Sequence, residues 1–302
     1  MILTVFTPAY NRAYRLNLCY EALLRQTNKE FKWVIVDDGS TDNTKAVVDA
    51  WIKEGKIEIQ YIYQENQGVA VAHETALNNI DTEMNVCIDS DDYMPDDAVE
   101  KILHFWDSNK SDNVAGFICL DAYQEGGNII GDKFPEGLHA ITFSDMTEKY
   151  KIKGDKKIVN RTDLCKKYLP FPKFEGEKFP TVSYLYLLIN REKKYLVLNE
   201  VICLVEYLPD GISMNKNSHY RKYPNGFMVF RKEKMEVAPS WVVRFRHAMH
   251  FVSSCLFAKK IGDIFRDNQY KVTTFLALPF GLAFHLYIKY RGNSSLNRNL
   301  NK

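Results

Sequence analysis

The sequence predicts an α/β chain, a mostly parallel sheet with helices on both faces, followed by a helical, basic C-terminal region. Three observations carry this. Short apolar runs alternate with helix-patterned segments at intervals of roughly 20–30 residues as far as about residue 120. Polar clusters follow the first, second and fourth of those runs. Charge is divided along the chain: residues 1–213 carry 24 Lys+Arg against 34 Asp+Glu, and residues 214–302 carry 16 against 4.

The elements follow in order. Residues 2–7 are apolar and rich in β-branched side chains, a buried strand that Pro8 is expected to end because it has no N–H for a ladder. Residues 15–26 place Leu16, Cys19, Tyr20, Leu23 and Leu24 at helical spacing. Residues 33–36 form a second strand, and Asp37-Asp38-Gly39-Ser40-Thr41-Asp42 turns the chain into a helix over 44–53. Residues 57–63 are a third strand, and Gln67-Gly68 opens a helix through Leu77. Residues 85–88 are a short fourth strand with Asp89-Ser90-Asp91-Asp92 at its end. A helix over 95–106 starts with Pro in its first turn, and residues 114–120 are a fifth strand. Within the mixed middle segment, 182–189 reads as a helix and 195–205 as a strand. Residues 241–257 and 272–290 are apolar, aromatic and flanked by basic residues. The domains expected are therefore 1–213 and 214–302.

Composition narrows the class. Apolar residues make up 46% and charged residues 26% of 302, which excludes a disordered chain, a collagen and a disulfide miniprotein. The six cysteines form no CxxC pair and no zinc-type spacing, so they read as reduced, mostly buried thiols of a cytosolic compartment. The start, MILTVFTPAYNR, lacks a basic n-region and a cleavage site and reads as a strand, not a signal peptide.

Ligands of parallel sheets bind beyond the carboxyl ends of the strands. This brings residues 7–12, 37–42 and 89–92 around one cleft. Asp89 and Asp91, read as alternating positions on an extended strand end, share a face. Carboxylates this close repel one another unless a cation compensates, and a hard divalent ion takes oxygen ligands and completes its shell with phosphates. The competing reading is a solvated acidic turn that caps the next helix. Tyr10 and Arg12 suit a nucleobase and a phosphate, and a carboxylate of Asp37 or Asp38 suits a base N–H or a ribose hydroxyl. A plain turn with N-caps competes there as well.

Taken together, TPAYNRAYRL, VIVDDGSTDNT, ENQGVAVAHETAL and CIDSDDYMPDDAVE, in this order, resemble inverting glycosyltransferases of family 2 with the GT-A fold. The resemblance is strong over residues 1–120 and extends weakly through 171–179 and 206–213 to polysaccharide-assembly members. It implies that Pro8, Tyr10 and Arg12 line the nucleotide pocket and that Asp38 binds uracil or ribose. Gly68, His73 and Ser90 join the donor site, Asp89 faces the donor ribose or sugar, and Asp91, with Asp92 nearby, holds Mn²⁺ or Mg²⁺ against the diphosphate. The activity implied is transfer from a nucleotide-sugar, UDP-linked by family tendency, to a glycan or polyprenyl-linked acceptor in bacterial surface polysaccharide synthesis.

Two departures stand out. Where the family commonly has Ala-Arg-Asn, this chain has Ala72-His73-Glu74. His73 either replaces the basic group or packs, and Glu74 is expected to point away from the diphosphate or to bind a sugar hydroxyl. Where the family places its general base, the spacing puts Val182, which leaves Glu177 as the candidate base. A protein without the base would be a slow transferase or a nucleotide-sugar-binding scaffold of the same fold. A sugar nucleotidyltransferase lacks its Gly-rich loop here. A phosphatase would need two carboxylates on one side of the strand end, and a dehydrogenase a GxGxxG. No nucleic-acid module is present.

The uncharged run 272–288 is at the short limit for crossing a bilayer and holds Pro279 and Gly281, so an interfacial helix pair is the expectation. Arg244, Arg246, Lys259, Lys260, Lys289 and Arg291 would meet anionic lipid, placing the protein on the inner face of the cell membrane. Plain core packing or a dimer interface is the competing reading.

Overall fold

A computed structural model describes residues 1–179, 181–207, 220–266 and 268–299, with side chains as far as Tyr290. The chain forms two compact units, Met1–Phe171 with Leu188–Tyr207, and Pro172–Leu187 with Leu208–Lys302. Residues 172–187 thus associate with the C-terminal segment, although sequence grouped them with the first 213. Residues 208–213 of the weakly resembling EYLPDGIS stretch lie outside the described residues.

The first unit is built on β1 (Leu3–Ala9), α1 (Ala13–Arg25), β2 (Phe31–Asp38), α2 (Thr44–Glu54), β3 (Ile59–Gln64), α3 (Val69–Asn79), β4 (Met84–Cys87) and α4 (Ala98–Asn109). These are followed by β5 (Val114–Tyr123), β6 (Ala140–Ile141), α5 (Phe143–Glu148), β7 (Lys156–Arg161), α6 (Thr162–Lys167) and, after α7 (Ser183–Ile189), β8 (Lys194–Val205). The eight strands form one sheet in the order β3-β2-β1-β4-β7-β5-β8-β6. Pairs β1–β2, β1–β4, β2–β3 and β5–β8 are parallel, while β7 runs antiparallel to both β4 and β5.

Pro8 does not end β1. It pairs in register with Val36 of β2. On the other side, the last β1–β4 pair is Phe6 with Cys87, so the missing N–H falls beyond the ladder and costs no bond. The helix after the acidic cluster begins at Ala98 rather than Pro95. β7, with the sequence KKIVNR, was not anticipated; its buried residues Ile158, Val159 and Asn160 fill the gap between β4 and β5. One face of the parallel half is closed by stacked aromatics. Tyr20 of α1 stacks on Trp51 of α2 at 4.4 Å between centroids, and Trp51 stacks on Trp33 of β2 at 5.9 Å. Each such pair is worth about 1 kcal/mol beyond its buried area. Trp33 also donates from Nε1 to Thr7 Oγ1 at 2.9 Å, tying β2 to β1 beneath the carboxyl edge.

In the second unit, α8 (Pro224–Glu236), α9 (Trp241–Phe257) and α10 (Lys271–Asn299) pack around Met235, Ala248, Phe251, Val252, Cys255 and Ala277. The Ser240 hydroxyl accepts from Val243 N and caps α9, whose bounds match the sequence expectation. α10 continues through Pro279. Its segment Lys271–Tyr290 is long and apolar enough to cross a membrane by length and composition.

Candidate active site

Because β1, β2 and β4 are parallel, Tyr10, Gly39 and Asp89 leave the sheet at the same edge. The first two exit loops are stitched together. Asn11, at φ 53, donates its N–H to Ser40 Oγ at 2.9 Å and accepts from Thr41 N at 2.8 Å. Asp42 Oδ2 accepts from Ala13 N at 3.1 Å. Tyr10 is left 50% exposed, Pro8 and Arg12 are half-buried, and Arg12 Nη1 donates to Tyr14 Oη at 3.3 Å.

Asp37 and Asp38 are buried and fully engaged. Asp37 accepts from Ser40 N and from Tyr61 Oη, at 2.7 and 2.6 Å. Asp38 accepts from Gln64 Nε2, Gln67 N and Gly68 N at 2.7–2.9 Å and from Asn66 Nδ2 at 3.2 Å. This carboxylate gathers the whole loop between β3 and α3 and sets Gly68, at φ 93, ahead of α3. Gly39, at φ 81, permits the approach, since a Cβ there would stand 2.7 Å from Asn66 N.

The acidic cluster is a turn and not a strand end. Asp92 N donates to Asp89 O at 3.0 Å, so the alternation expected of an extended chain does not apply. Asp89 is exposed, Asp91 half-buried, and Ser90 and Asp92 buried. Asp92 turns inward, its Oδ2 lying 3.9 Å from Lys157 Nζ. Burial above all, and then Asp89, Asp91 and Asp121, push its carboxyl up to about 8, with Lys157 pulling the other way. Lys157 is there because β7 runs antiparallel, which carries its first residues to the carboxyl end of the neighbouring strands. Burial opposes the Lys157 charge, yet Asp121, Asp89 and Asp92 around it raise its pKa well above normal. Burial, followed by Asp89, raises Asp91, while Arg12 and Arg15 act against the rise. Sequence reasoning missed Arg15, which lies in the first turn of α1 and pairs with Glu206 at 2.6 Å, and also Lys157. Only a correct placement of β7 would have found the latter.

His73 is buried against the edge of the Phe6 ring, at 5.1 Å and 88°. Burial lowers its pKa to about 4, so at neutral pH it is a packed, uncharged imidazole and no substitute for a basic group. Glu74 points away from the acidic turn and accepts from Phe171 N at 2.9 Å. In the second unit, the Glu177 carboxylate accepts from Asn225 N at 3.0 Å, Asn225 Nδ2 at 2.6 Å and Gly226 N at 3.2 Å. It serves as the acceptor for the first turn of α8. A depression of roughly 760 Å³ lies at the other end of the sheet, between Glu83, Trp106 and Arg161, away from the acidic turn.

An α/β sheet with stitched exit loops and an acidic turn at its carboxyl edge defines the class, and comparison with known proteins agrees. The profile of Glycosyl transferase family 2 matches residues 4–165, more than half of the chain, and the chain belongs to that family. Glycosyltransferase GlyA of Streptococcus pneumoniae is 31% identical over 157 residues, covering 50% of this chain and 22% of GlyA. TuaG of Bacillus subtilis, assigned to teichuronic acid biosynthesis, is 26% identical over 219 residues, covering 71% of this chain and 82% of TuaG. The chain thus spans about a fifth of one relative and most of the other. S. aureus TarS, crystallised with UDP-GlcNAc, superposes with a TM-score of 0.59 at 18% identity over 95% of this chain and 81% of that one, a likeness of fold. The fold is of the GT-A type.

Proposed function

We propose that this protein is a metal-dependent, inverting glycosyltransferase. It moves a sugar from a UDP-sugar to a hydroxyl of a lipid-linked glycan acceptor during bacterial surface polysaccharide synthesis. The observation that carries this is the convergence of Tyr10, Arg12 and the half-buried Asp91 at one sheet edge. Family membership supports it, as do the teichuronic acid role of TuaG and the UDP-GlcNAc bound by TarS.

The donor set fits a hard divalent ion. Asp89 and Asp91 offer carboxylate oxygens, and the Asp91 carboxyl is raised by burial and by its neighbour's charge, the signature of a pair short of positive charge. Asp89 and Asp91 would hold Mn²⁺ or Mg²⁺; Asp92 is matched with Lys157 instead. When bound, the ion neutralises the nucleoside-diphosphate leaving group. Arg12 and Arg15 add positive field beside the acidic turn. The exposed Tyr10 ring offers a stacking face to the base, and Asp38 shapes the pocket wall by holding residues 64–68. The acceptor oxygen displaces the diphosphate from the anomeric carbon with inversion and loses its proton to a base.

α9 and α10 expose Trp241, Val242, Val272, Phe275, Leu276 and Phe280, an apolar and aromatic surface suited to the headgroup level of a bilayer at the cytoplasmic face. Arg244 is spent internally, donating to Met235 O at 3.1 Å and lying over Tyr270, whereas Lys259, Lys260 and Lys289 are exposed and would meet anionic lipid. The side chain of Arg291 lies outside the described residues.

A second reading, a nucleotide-sugar-binding protein with weak turnover, is favoured by one observation: Glu177 is occupied as a helix cap and Val182 stands at the position expected for an acid. Release of UDP from a panel of UDP-sugars, with Mn²⁺, Mg²⁺ or EDTA, separates the two. Metal-dependent release by the wild type that is lost in Asp91→Asn establishes the transferase. Binding of UDP with Mn²⁺ but no release, even with lipid-linked acceptors present, establishes the second reading. Absence of both sinks the assignment of the cleft.

A further inference from the structure

Cys87 is the last residue of β4, immediately before the acidic turn, and the other five cysteines of the chain are buried while it is not. Its Sγ lies 3.5 Å from His73 Nε2 on α3 and 3.8 Å from Asp89 Oδ1. These three ligand atoms all fall within 4.8 Å of one another, and no other group of this kind occurs among the described residues. Tetrahedral Zn²⁺ takes sulfur at about 2.3 Å and nitrogen or oxygen at about 2.0 Å, which sets neighbouring ligand atoms about 3.5 Å apart. The separations of 3.5 and 3.8 Å are therefore close to the edges of such a polyhedron. The Phe6 ring packs perpendicular to the imidazole and holds it, and Cys87 is fixed by its strand, so Asp89, exposed and on the turn, is the ligand that adjusts. The positive charge of Lys157 nearby is already balanced by Asp92 and Asp121.

We propose that His73, Cys87 and Asp89 form a three-ligand site for a thiophilic transition metal of the Zn²⁺ class, with its fourth position open to water. The donor set is chemically distinct from the all-oxygen set at Asp89 and Asp91, since imidazole and thiolate select Zn²⁺ over Mg²⁺ or Mn²⁺. The two sets share Asp89. Occupation by zinc withdraws that carboxylate from the donor cleft, so zinc antagonises the magnesium- or manganese-dependent reaction. This last consequence rests on the proposed transferase function; the metal site itself does not.

The test begins with the purified chain, stripped of metal and titrated with Co²⁺. The wild type shows a near-ultraviolet thiolate-to-cobalt charge-transfer band that Zn²⁺ abolishes and millimolar Mg²⁺ does not. Cys87→Ser lacks the band, and His73→Gln binds Co²⁺ at least about tenfold more weakly. No band in the wild type, or a band that survives Cys87→Ser, overturns the site. The second arm is UDP release with Mg²⁺. Zn²⁺ inhibits the wild type at concentrations about tenfold lower than it inhibits Cys87→Ser. Equal sensitivity overturns the antagonism while the cobalt result stands. A wild type that binds Co²⁺ through Cys87 but releases no UDP refutes the transferase reading and leaves the metal site intact.

Discussion

Lys157 Nζ lies 3.9 Å from Asp92 Oδ2 with both side chains nearly closed to solvent, at 11% and 6% exposure. The third acid of the cluster therefore has a cation supplied by the protein, and the cluster divides into an inward Asp92 and an outward Asp89 and Asp91. With its carboxyl pushed up to about 8, Asp92 is mostly protonated near pH 7 and gains its charge only above that value. Losing Lys157 raises it further, so Lys157→Met is expected to cost more stability in urea unfolding at pH 9 than at pH 7. Adding Asp92→Asn should restore part of the loss at pH 9, since it removes the acid that Lys157 compensates. Strict additivity of the two substitutions would show that they do not interact.

Asp91→Asn has the opposite profile. It relieves repulsion with Asp89 and removes the cost of burying a carboxylate charge. Its urea midpoint should equal or exceed that of the wild type, while metal-stimulated UDP release falls at least about a hundredfold. Loss of stability together with activity would make Asp91 a structural residue.

Glu177→Gln separates cap from base. As a cap, the carboxylate accepts from the first N–H groups of α8 and interacts with the helix dipole, so neutralising it should cost about 1 kcal/mol. UDP release with an acceptor should then stay within about tenfold of the wild type, whereas loss of a general base costs about 10²–10⁴-fold.

His247 and His250 on α9 set a pH dependence. Burial, then Arg231, lowers them to about 2 and about 3. Below the unfolded value near 6.5, the unfolded chain takes up protons that the folded helix refuses, so stability falls as pH falls. At pH 5 the effect is about 2 kcal/mol for each histidine fully in this state. Denaturation midpoints at pH 7.5 and 5.0 should therefore differ less in His247→Gln than in the wild type. An unchanged difference would place the proton uptake elsewhere.

Gly281 lets α10 pass close against α9. A Cβ there would meet Val252 Cβ at 2.6 Å and Met249 O at 3.0 Å. Gly→Ala inside a helix normally gains about 1 kcal/mol, but overpacking costs about 1–3 kcal/mol. Gly281→Ala should therefore lower the melting temperature, and a rise would mean that the two helices separate freely.

Much of this was legible where one residue type carries the information alone. β1, β2 and β4 announce themselves as apolar runs, each closed by a polar exit, and α9 as an apolar, aromatic stretch flanked by basic residues. β7 was not legible, because KKIVNR has only two apolar residues and its burial is imposed by β4 and β5, strands distant in sequence. The inward turn of Asp92 depended on β7 and was hidden with it. The engagement of Asp38 required knowing that Gln64, Asn66, Gln67 and Gly68 converge on it, and the His73–Cys87 contact joins a helix to a strand with no shared period. Glu177 reads in sequence as a candidate base, and its engagement with α8 was hidden because its donors, Asn225 and Gly226, are almost fifty residues away.

The placement of β7 also orders the chain's birth. The parallel group β3-β2-β1-β4 is complete once Cys87 has been made. β5 follows, but the strand that seats it against β4 is not translated until residues 156–161. A nascent or truncated chain ending between those points presents two unsatisfied strand edges, an invitation to wrong pairing and aggregation. Fragments of this protein made for expression should therefore end beyond Arg161 or before Val114, and never between.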